Sequence, residues 1–459
     1  MAGGVVGRND YRQQRWRYAS GMRRLLPLFA SCVVIVAQDA PKIVSMTPAN
    51  FAEVDAKTTT ELVVVFDREM SKNGFSICGG GPKFPKVTKQ PRWQGMKTLV
   101  VEVELVPNHD YEMSLNCPAA QNFRSKNGVV LEAVPWSFST LPAKLPNQKQ
   151  QGRRNKAAFK ILMKTLEERY SYYDLRVANW PALVKQHEAA VLSAKTDRGF
   201  AGAVANMLRP TEDLHLYLQL GDRTFATGSR AIDSLFRYQL LGKYAMVKPV
   251  ADNVVAGRTK DGIGYLLIAT WAGVDTERIA GALTELADTK ALVVDVRANA
   301  GGDELLAREV AQWFVDGTKV YAKHRVRTKA GEKGFGPVIK RTIKGNDASR
   351  SYDGPVALLT SRYVMSSNEA FVLMMKQGRD CVVVGQPTFG SSGNPQEFDL
   401  GNGVTIRVPC WQAMQPDETL FEGAGIQPDE FVPCLVDDLR TRDPILEKAL
   451  TLLRAKIAK

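Results

Sequence analysis

The sequence predicts a multidomain protein: an N-terminal all-β sandwich, then a helical segment, then an α/β core. Three observations support this fold class. Strand-like, β-branched runs dominate residues 41–141. Apolar residues recur at four-residue spacing after residue 157, as one face of a helix requires. Strand-like and helix-like runs alternate after residue 222, which is typical of an α/β core. The 459 residues are enough for more than one hydrophobic core.

The first 40 residues are predicted to be a signal peptide and leader. Arg15, Arg17, Arg23 and Arg24 precede an apolar run over residues 25–37. That run is too short for a spanning helix and matches the apolar part of a signal peptide. An uncleaved membrane anchor is the alternative. We expect the mature protein to be exported, to the periplasm or to the outside of the cell.

Residues 41–141 contain the strand-like runs 61–66 and 98–104, separated by residues that favour turns. The opening Ser-Met-Thr-Pro-Ala at 45–49, the turn at 65–70 and the closing Trp-Ser-Phe-Ser-Thr at 136–140 resemble bacterial Ig-like surface domains. Such a domain positions or binds, so the resemblance implies association with the bacterial cell envelope. An adhesin in which this domain does the main work is one alternative for the whole protein.

Six cysteines are few for this length, and none has metal-ligand spacing. Cys78 and Cys117 lie in the same predicted domain, and export permits a disulfide between them. Their Cα atoms are therefore expected to lie about 4.4–6.8 Å apart. Cys381, Cys410 and Cys434 are expected to be buried free thiols. No metal and no organic cofactor is predicted.

Residues 142–156 are polar and basic and are predicted to be an exposed linker. The helical subdomain is expected over 157–221, where Leu162, Leu166 and Tyr170 share a helix face. The α/β catalytic domain is expected over 222–459. Its strand-like runs are 264–271, 291–297, 356–361 and 381–384, and its helix-like runs are 275–289, 303–315 and 366–377.

Chemistry is expected where two predicted strands end. The strand at 291–297 leads to Gly301 and Gly302 before a helix, and backbone amides in such a turn can hold an oxyanion. A tight structural turn is the alternative. The strand at 356–361 leads to Ser366 and Ser367 at the start of the next helix. There, Ser366 and Glu369 have the spacing of a capping box, which is the structural alternative.

Four motifs occur in a fixed order: Asp-x-Arg-x-Asn-x-Gly-Gly at 295–302, Ser-x-x-Glu at 366–369, Gly-x-x-Thr-Phe-Gly at 385–390 and Glu-Gly-x-Gly-Ile-x-Pro-Asp at 422–429. Together they resemble the tail-specific, or C-terminal-processing, serine proteases over about residues 157–435. The resemblance implies a core of ClpP/crotonase-like β-β-α units. It also implies that Ser366 attacks a peptide carbonyl while amides of Gly301 or Gly302 and of Ser367 form an oxyanion hole.

The sequence departs from the commonest family pattern in two places. Too few residues stand between Leu218 and Gly262 for the PDZ domain that many members carry. Many members also use a lysine as general base just after Thr-Phe-Gly, where this chain has Ser391. A hydroxyl cannot replace an amine as a base, so a Ser–Lys mechanism is not expected.

Among the four histidines, His215 lies in an Asp-x-His loop that resembles the active-site loop of the tricorn-like branch. The resemblance implies that His215 is the general base and that Glu422 or Asp213 is the orienting carboxylate. Leu214 stands where that branch has a serine, and Ser391 is expected to take over the orienting role of its hydroxyl. A structural histidine is the alternative.

The sequence as a whole predicts an exported serine peptidase that acts on proteins or peptides. The alternative is a catalytically inactive binding protein of the same fold, which loss of the lysine favours. Arg297 and Asn299 are expected to shape the loop before the glycines. The formal net charge is +13, but no nucleic-acid-binding motif accompanies it, so nucleic acid is not an expected partner.

Overall fold

In the computed structural model, residues 40–117, 119–228, 232–329 and 331–458 are described. The predicted signal peptide and leader lie outside these residues, apart from residue 40. Within the described part of the chain, every helix is too short or too polar to cross a membrane.

The N-terminal β-rich region consists of two sheets that share one core. Its strands are β1 (Ile43–Thr47), β2 (Glu53–Val54), β3 (Glu61–Phe66), β4 (Ile77–Cys78), β5 (Lys86–Val87), β6 (Arg92–Gln94), β7 (Thr98–Glu104), β8 (Asp110–Leu115) and β9 (Val134–Thr140). One sheet has the order β1-β3-β7-β5, with β6 also paired to β7, and the other has the order β2-β9-β8-β4. Alternate residues of β3 (Leu62, Val64 and Phe66) pack in the same core as Trp136 and Phe138 of β9. The predicted β-rich region is thereby confirmed, while the Ig-like assignment stays a prediction.

The predicted disulfide is confirmed. Cys78 and Cys117 are bonded, with Cα atoms 6.3 Å apart. Of the remaining cysteines, Cys410 and Cys434 are buried free thiols as expected. Cys381 is a free thiol that is only partly buried, because the strand that carries it begins near the surface.

Four helices follow: α1 (Gln148–Arg169), α2 (Tyr173–Arg176), α3 (Trp180–Leu192) and α4 (Asp197–Leu208). The predicted linker over 142–156 is too long, because α1 begins at Gln148, where the Asn147 side chain accepts a hydrogen bond from the Gln150 amide. Two of the polar residues after that point, Gln151 and Asn155, are buried against protein. Gln151 donates to Asp197 at 2.8 Å and Asn155 donates to the Ala194 carbonyl at 2.8 Å. Hydrogen bonds thus bury side chains whose composition indicated a solvated linker.

The β-rich region packs directly on the helices. Arg198 of α4 forms an ion pair with Glu53 of β2 at 3.0 Å. A Cβ on Gly202 would stand 2.0 Å from the Phe51 carbonyl oxygen, so a glycine is required at this contact. Residues 40–459 accordingly form a single compact unit rather than a sandwich on a free tether.

The α/β part contains three sheets. Its strands are β10 (Tyr217–Leu220), β11 (Arg223–Ala226), β12 (Ala245–Ala251), β13 (Val254–Thr259), β14 (Gly264–Ile268), β15 (Leu292–Asp295), β16 (Thr318–Val326), β17 (Ile339–Lys344), β18 (Val356–Thr360), β19 (Cys381–Gly385), β20 (Pro395–Asp399), β21 (Thr405–Pro409), β22 (Trp411–Met414) and β23 (Glu430–Phe431). Its helices are α5 (Tyr238–Leu241), α6 (Thr276–Glu285), α7 (Glu304–Ala311), α8 (Ser367–Met375) and α9 (Pro444–Ile457). The central sheet has the order β12-β13-β14-β15-β18-β19-β23 and is parallel from β14 onward.

Two features of this part position the site. Parallel strands β15 and β18 are neighbours, so the loops after their carboxyl ends meet at one edge of the sheet. A second sheet, with the order β11-β10-β21-β20, pairs β10 with the distant strand β21. That pairing brings the loop before β10, which carries His215, to the same edge. The predicted boundary between residues 221 and 222 therefore falls in the turn of the β10–β11 hairpin.

Candidate active site

Ser366 immediately precedes α8 and has an unusual backbone conformation, with φ 57° and ψ −132°. A positive φ is rare for a residue with a side chain and persists only where the surroundings enforce it. The Ser366 amide donates to the Ser391 carbonyl at 2.9 Å and to the Glu369 carboxylate at 3.2 Å. The chain around Ser391 thus fixes the strained turn that presents the Ser366 hydroxyl to the cleft.

The glycine pair lies against this turn. A Cβ on Gly301 would stand 2.8 Å from the Ser366 Cβ, so only glycine fits there. The Gly301 amide is already committed, since it donates to Asn299 Oδ1 at 2.8 Å. Within the described residues, the amides of Gly302 and Ser367 have no protein acceptor, and the Ser367 hydroxyl donates to the Gly302 carbonyl at 2.6 Å. Of the predicted oxyanion donors, the Gly302 and Ser367 amides are therefore the available pair.

The loop after β15 is held by buried polar groups. Asn299 donates to the Ile268 carbonyl at 3.2 Å, and Asn368 donates to the Val296 and Asn299 carbonyls at 3.1 and 2.9 Å. Arg297 is fully buried between Asp295 and Asp443, with ion pairs of 2.7 and 2.8 Å. Asn299 shapes the glycine turn as expected, whereas Arg297 connects the end of β15 to the start of α9.

The structure brings His215 to both predicted serines. Its Nε2 atom lies 3.1 Å from Ser366 Oγ, and its Nδ1 atom lies 2.9 Å from Ser391 Oγ. The predicted approach of His215 to Ser366 is thereby confirmed. Ser391 stands where the commonest family pattern has lysine, and here its hydroxyl contacts the imidazole. The arrangement is a chain of three side chains, Ser366–His215–Ser391, that can pass a proton from a hydroxyl to a ring nitrogen.

Asp213 and Glu422 support different parts of the Ser366–His215–Ser391 arrangement. Asp213 is fully buried and accepts from the His215 backbone amide at 2.9 Å and from the Tyr170 hydroxyl at 2.8 Å. Glu422 forms an ion pair with Arg176 and accepts from the Ser392 amide at 3.0 Å. Asp213 thus fixes the histidine loop through its backbone, while Glu422 holds the loop next to Ser391.

Glu422 lies in a low-dielectric environment. Burial raises the pKa of its carboxyl above the usual value, the nearby charge of Asp213 adds to the shift, and Arg176 opposes it. Burial also raises the pKa of the Tyr170 hydroxyl, which donates to Asp213. The carboxyl groups of Asp213 and Glu422 and the guanidinium group of Arg176 thus lie close together next to the histidine loop.

Glu369 was expected only as a partner in a capping box, and the structure gives it a larger role. Its buried carboxylate accepts from the Thr388 hydroxyl at 2.6 Å and from the amides of Gly390, Ser391 and Ser366 at 2.7, 3.0 and 3.2 Å. Burial raises the pKa of Glu369 to about 7, although these donors lower it. Glu369 therefore joins the serine turn to the loop that carries Ser391. The Ser-x-x-Glu spacing was a signal for this residue, but not for its contacts with residues 388–391.

A cleft of about 960 Å³ opens beside Ser366 and His215. Its lining includes a cationic wall formed by Arg308, Lys340 and Arg341, together with Trp411. The Arg341 guanidinium lies 4.9 Å from the centre of the Trp411 ring. Burial lowers the pKa of Arg341 to about 10. The cleft is large enough for several residues of an extended peptide. Across the described residues, no cluster of three or more His, Cys, Asp or Glu side chains is arranged to hold a metal ion.

Comparisons with known proteins relate part of this chain to a peptidase family. Residues 262–432 match the family model described as peptidase family S41. The chain is similar to the carboxy-terminal processing protease CtpB of Bacillus subtilis, with 27% identity over 36% of this chain and 33% of that protein. It is also similar to the tail-specific protease of Haemophilus influenzae, with 30% identity over 27% of this chain and 17% of that protein. The chain thus spans about a third, or less, of the length of these two curated relatives.

A crystal structure of a candidate peptidase from Parabacteroides merdae shares the fold. The superposition covers 65% of this chain and 96% of that chain, with a TM-score of 0.59 and 23% identity. A likeness at this level of identity concerns the fold alone. Together with the two relatives, the family match shows a peptidase S41 domain over residues 262–432, similar to carboxy-terminal processing and tail-specific proteases.

Proposed function

We propose that the protein is a serine peptidase in which Ser366 is the nucleophile and His215 the general base. The observation that carries this proposal is the 3.1 Å approach of His215 Nε2 to Ser366 Oγ beside the amides of Gly302 and Ser367, which have no acceptor among the described residues. A serine hydroxyl needs such a base, and a neutral imidazole is suited to the task near pH 7.

The proposed reaction follows from these positions. As Ser366 Oγ forms a bond to the peptide carbonyl carbon, its proton moves to His215 Nε2. The negative charge that develops on the carbonyl oxygen is stabilised by the amides of Gly302 and Ser367. The proton then passes to the leaving amine as the C–N bond breaks, and water hydrolyses the acyl-enzyme by the same route.

Ser391 is proposed to orient the imidazole through its contact with Nδ1, the orienting role expected of its hydroxyl from the sequence. Asp213 is proposed to orient the same residue through the backbone. Glu422 supports the neighbouring Ser392, which lines the cleft. The general base therefore has hydrogen-bonded supports that come from different segments of the chain.

We further propose that the protein acts outside the cytoplasm. Two observations support this location: the arginines and apolar run within residues 1–40, and the disulfide between Cys78 and Cys117, because disulfides persist in oxidising compartments. Association with the cell envelope through the β-rich region is part of the proposal. Its substrates would be proteins or peptides that reach that compartment.

Labelling with a fluorophosphonate tests the peptidase against an inactive binding protein of the same fold. The wild-type protein is expected to form a covalent adduct on the peptide that contains Ser366, and Ser366→Ala is expected to lose it. Ser351→Ala, at a serine outside the cleft, is the matched control and should label like the wild type. Absence of any adduct on folded wild-type protein would favour the binding protein.

A further inference from the structure

A second cavity, of about 380 Å³, borders the same loop that forms part of the catalytic cleft. Phe389 and Gly423 line this cavity, whereas Ser392 and Gly393 line the cleft. The two spaces thus share one stretch of chain but have separate linings. The smaller space has the volume of a pocket for a small ligand. We refer to it as the arginine cavity, because Arg176, Arg209 and Arg362 line it.

Two of these arginines have guanidinium N–H groups that are not engaged by other described residues. Within the described part of the chain, Arg209 and Arg362 form no hydrogen bond or ion pair through their guanidinium groups. Arg362 instead lies over the Phe389 ring, 5.7 Å from its centre. A guanidinium held over an aromatic ring at a cavity wall still presents its N–H groups to a ligand.

The third arginine has an unused donor. Arg176 uses Nη2 for its ion pair with Glu422, while its Nε is buried and has no hydrogen-bond partner among the described residues. Buried donors almost always have an acceptor, so an exception calls for a missing water or ion. An acceptor bound in the cavity that Arg176 lines would supply the missing partner.

The charges of the lining also favour an anion. Glu422 is paired with Arg176, and Glu212 also lines the cavity, so three arginines are opposed by two carboxylates among the described residues. One positive charge is left over. Guanidinium groups present paired N–H donors that match the oxygens of carboxylates and phosphates, so an oxyanion fits this surplus better than a halide ion.

We propose that the arginine cavity is a binding site for a small oxyanion, either inorganic phosphate or the carboxylate of a peptide terminus. Arg209 and Arg362 supply the uncompensated charge, and Arg176 supplies the buried donor. The site is distinct from Ser366 and His215, so the proposal does not depend on peptidase activity. Through Arg176 the bound anion would lie one residue away from Glu422, which holds Ser392 in the wall of the cleft.

Isothermal titration calorimetry on the full chain at fixed ionic strength tests the proposal. Inorganic phosphate is titrated in one arm and N-acetylglycine, a carboxylate with one peptide unit, in the other. At least one should bind saturably with a stoichiometry of one. The double variant Arg209→Gln/Arg362→Gln should weaken that binding at least about tenfold, since it removes two charge-assisted contacts. The arm that binds identifies the source of the oxyanion.

The cationic wall of the catalytic cleft provides the matched control. Arg308→Gln/Lys340→Gln removes the same charge from the cleft and should leave the dissociation constant within about twofold, because charges outside the cavity contribute only a screened interaction. The single variants Arg209→Gln and Arg362→Gln serve if the double variant loses its thermal transition. Binding of neither probe, or binding weakened by the cleft variants but not by the cavity variants, would overturn the proposal.

Discussion

The two sides of the candidate active site are built in different ways. The glycine turn and the serine turn follow two neighbouring strands of one sheet. These strands, β15 and β18, are parallel, so the loops after them leave at the same edge. The histidine loop depends on distant segments: Asp213 supports its backbone, Ser391 contacts its ring, and β10 pairs with β21. The nucleophile is thus positioned mainly at the edge of one sheet, where the Ser391 carbonyl also accepts from its amide, whereas the base depends on the pairing of more distant segments.

This difference predicts where the site is robust. Asn299 and Asn368 fix the serine turn from within the sheet, so a change in the histidine loop should leave Ser366 in place. The imidazole is held by contacts from other segments, so substitutions around it should lower activity without unfolding the protein. Three substitutions test this contrast in order of decreasing effect.

His215→Ala should have the largest effect on catalysis. Removing the imidazole leaves the Ser366 hydroxyl without a proton acceptor, and kcat/KM for peptide hydrolysis should fall about 10³-fold. His187→Ala, a substitution on α3, is the matched control and should keep wild-type activity. The thermal transition of His215→Ala should remain cooperative. Retention of more than a tenth of the activity would contradict the assignment of the base.

Glu369→Gln tests the residue that joins the two sides. Burial raises the pKa of Glu369 to about 7 from 4.5, so the native state holds a proton in this window that the unfolded state has released. Stability therefore falls as pH rises from about 4.5 to about 7, by roughly 3 kcal/mol if this group alone is counted. The variant cannot titrate there, so its free energy of unfolding should lack this part of the pH dependence.

Urea unfolding at pH 5 and at pH 7 measures this difference. Glu188→Gln, at an exposed glutamate, is the control and should follow the wild type. Equal pH slopes for the wild type and Glu369→Gln would show that Glu369 titrates alike in the folded and unfolded chains. Glu369 would then join the serine turn to residues 388–391 as an ionised carboxylate at both pH values.

Ser391→Ala should have the smallest effect of the three. It removes the contact with His215 Nδ1 but leaves Asp213 on the backbone amide, so His215 keeps the support from Asp213. We expect kcat to fall about tenfold, which corresponds to about 1.4 kcal/mol, the size of one neutral hydrogen bond. A loss as large as that of His215→Ala would mean that Ser391 takes part in proton transfer itself.

The contrast between the two sides also explains what the sequence could predict. Ser366, Gly301 and Gly302 were found from strand–turn–helix patterns, because the backbone geometry of such turns is local. His215 was found through its Asp-x-His loop. The contacts of Glu369 with residues 388–391 were missed, because they join segments that only the folded sheet brings together.

Composition misled the prediction at the start of α1. Residues 148–156 are polar and basic, and a polar stretch is typical of a linker. In the structure Gln151 and Asn155 are buried through hydrogen bonds to residues 192–197. Sequence composition reports polarity, but not whether a distant segment will supply a partner. The same limit applies to Arg176, because its partner Glu422 lies in a distant part of the sequence.

The joint action of Ser366 and His215 is tested most directly by a double-mutant cycle on kcat/KM. Ser366→Ala, His215→Ala and the double variant are measured with one peptide substrate, each as the rate above uncatalysed hydrolysis. If the imidazole acts only by taking the serine proton, adding His215→Ala to Ser366→Ala should cause no further loss. Multiplied losses in the double variant would show that the two side chains act independently and would contradict the Ser–His mechanism.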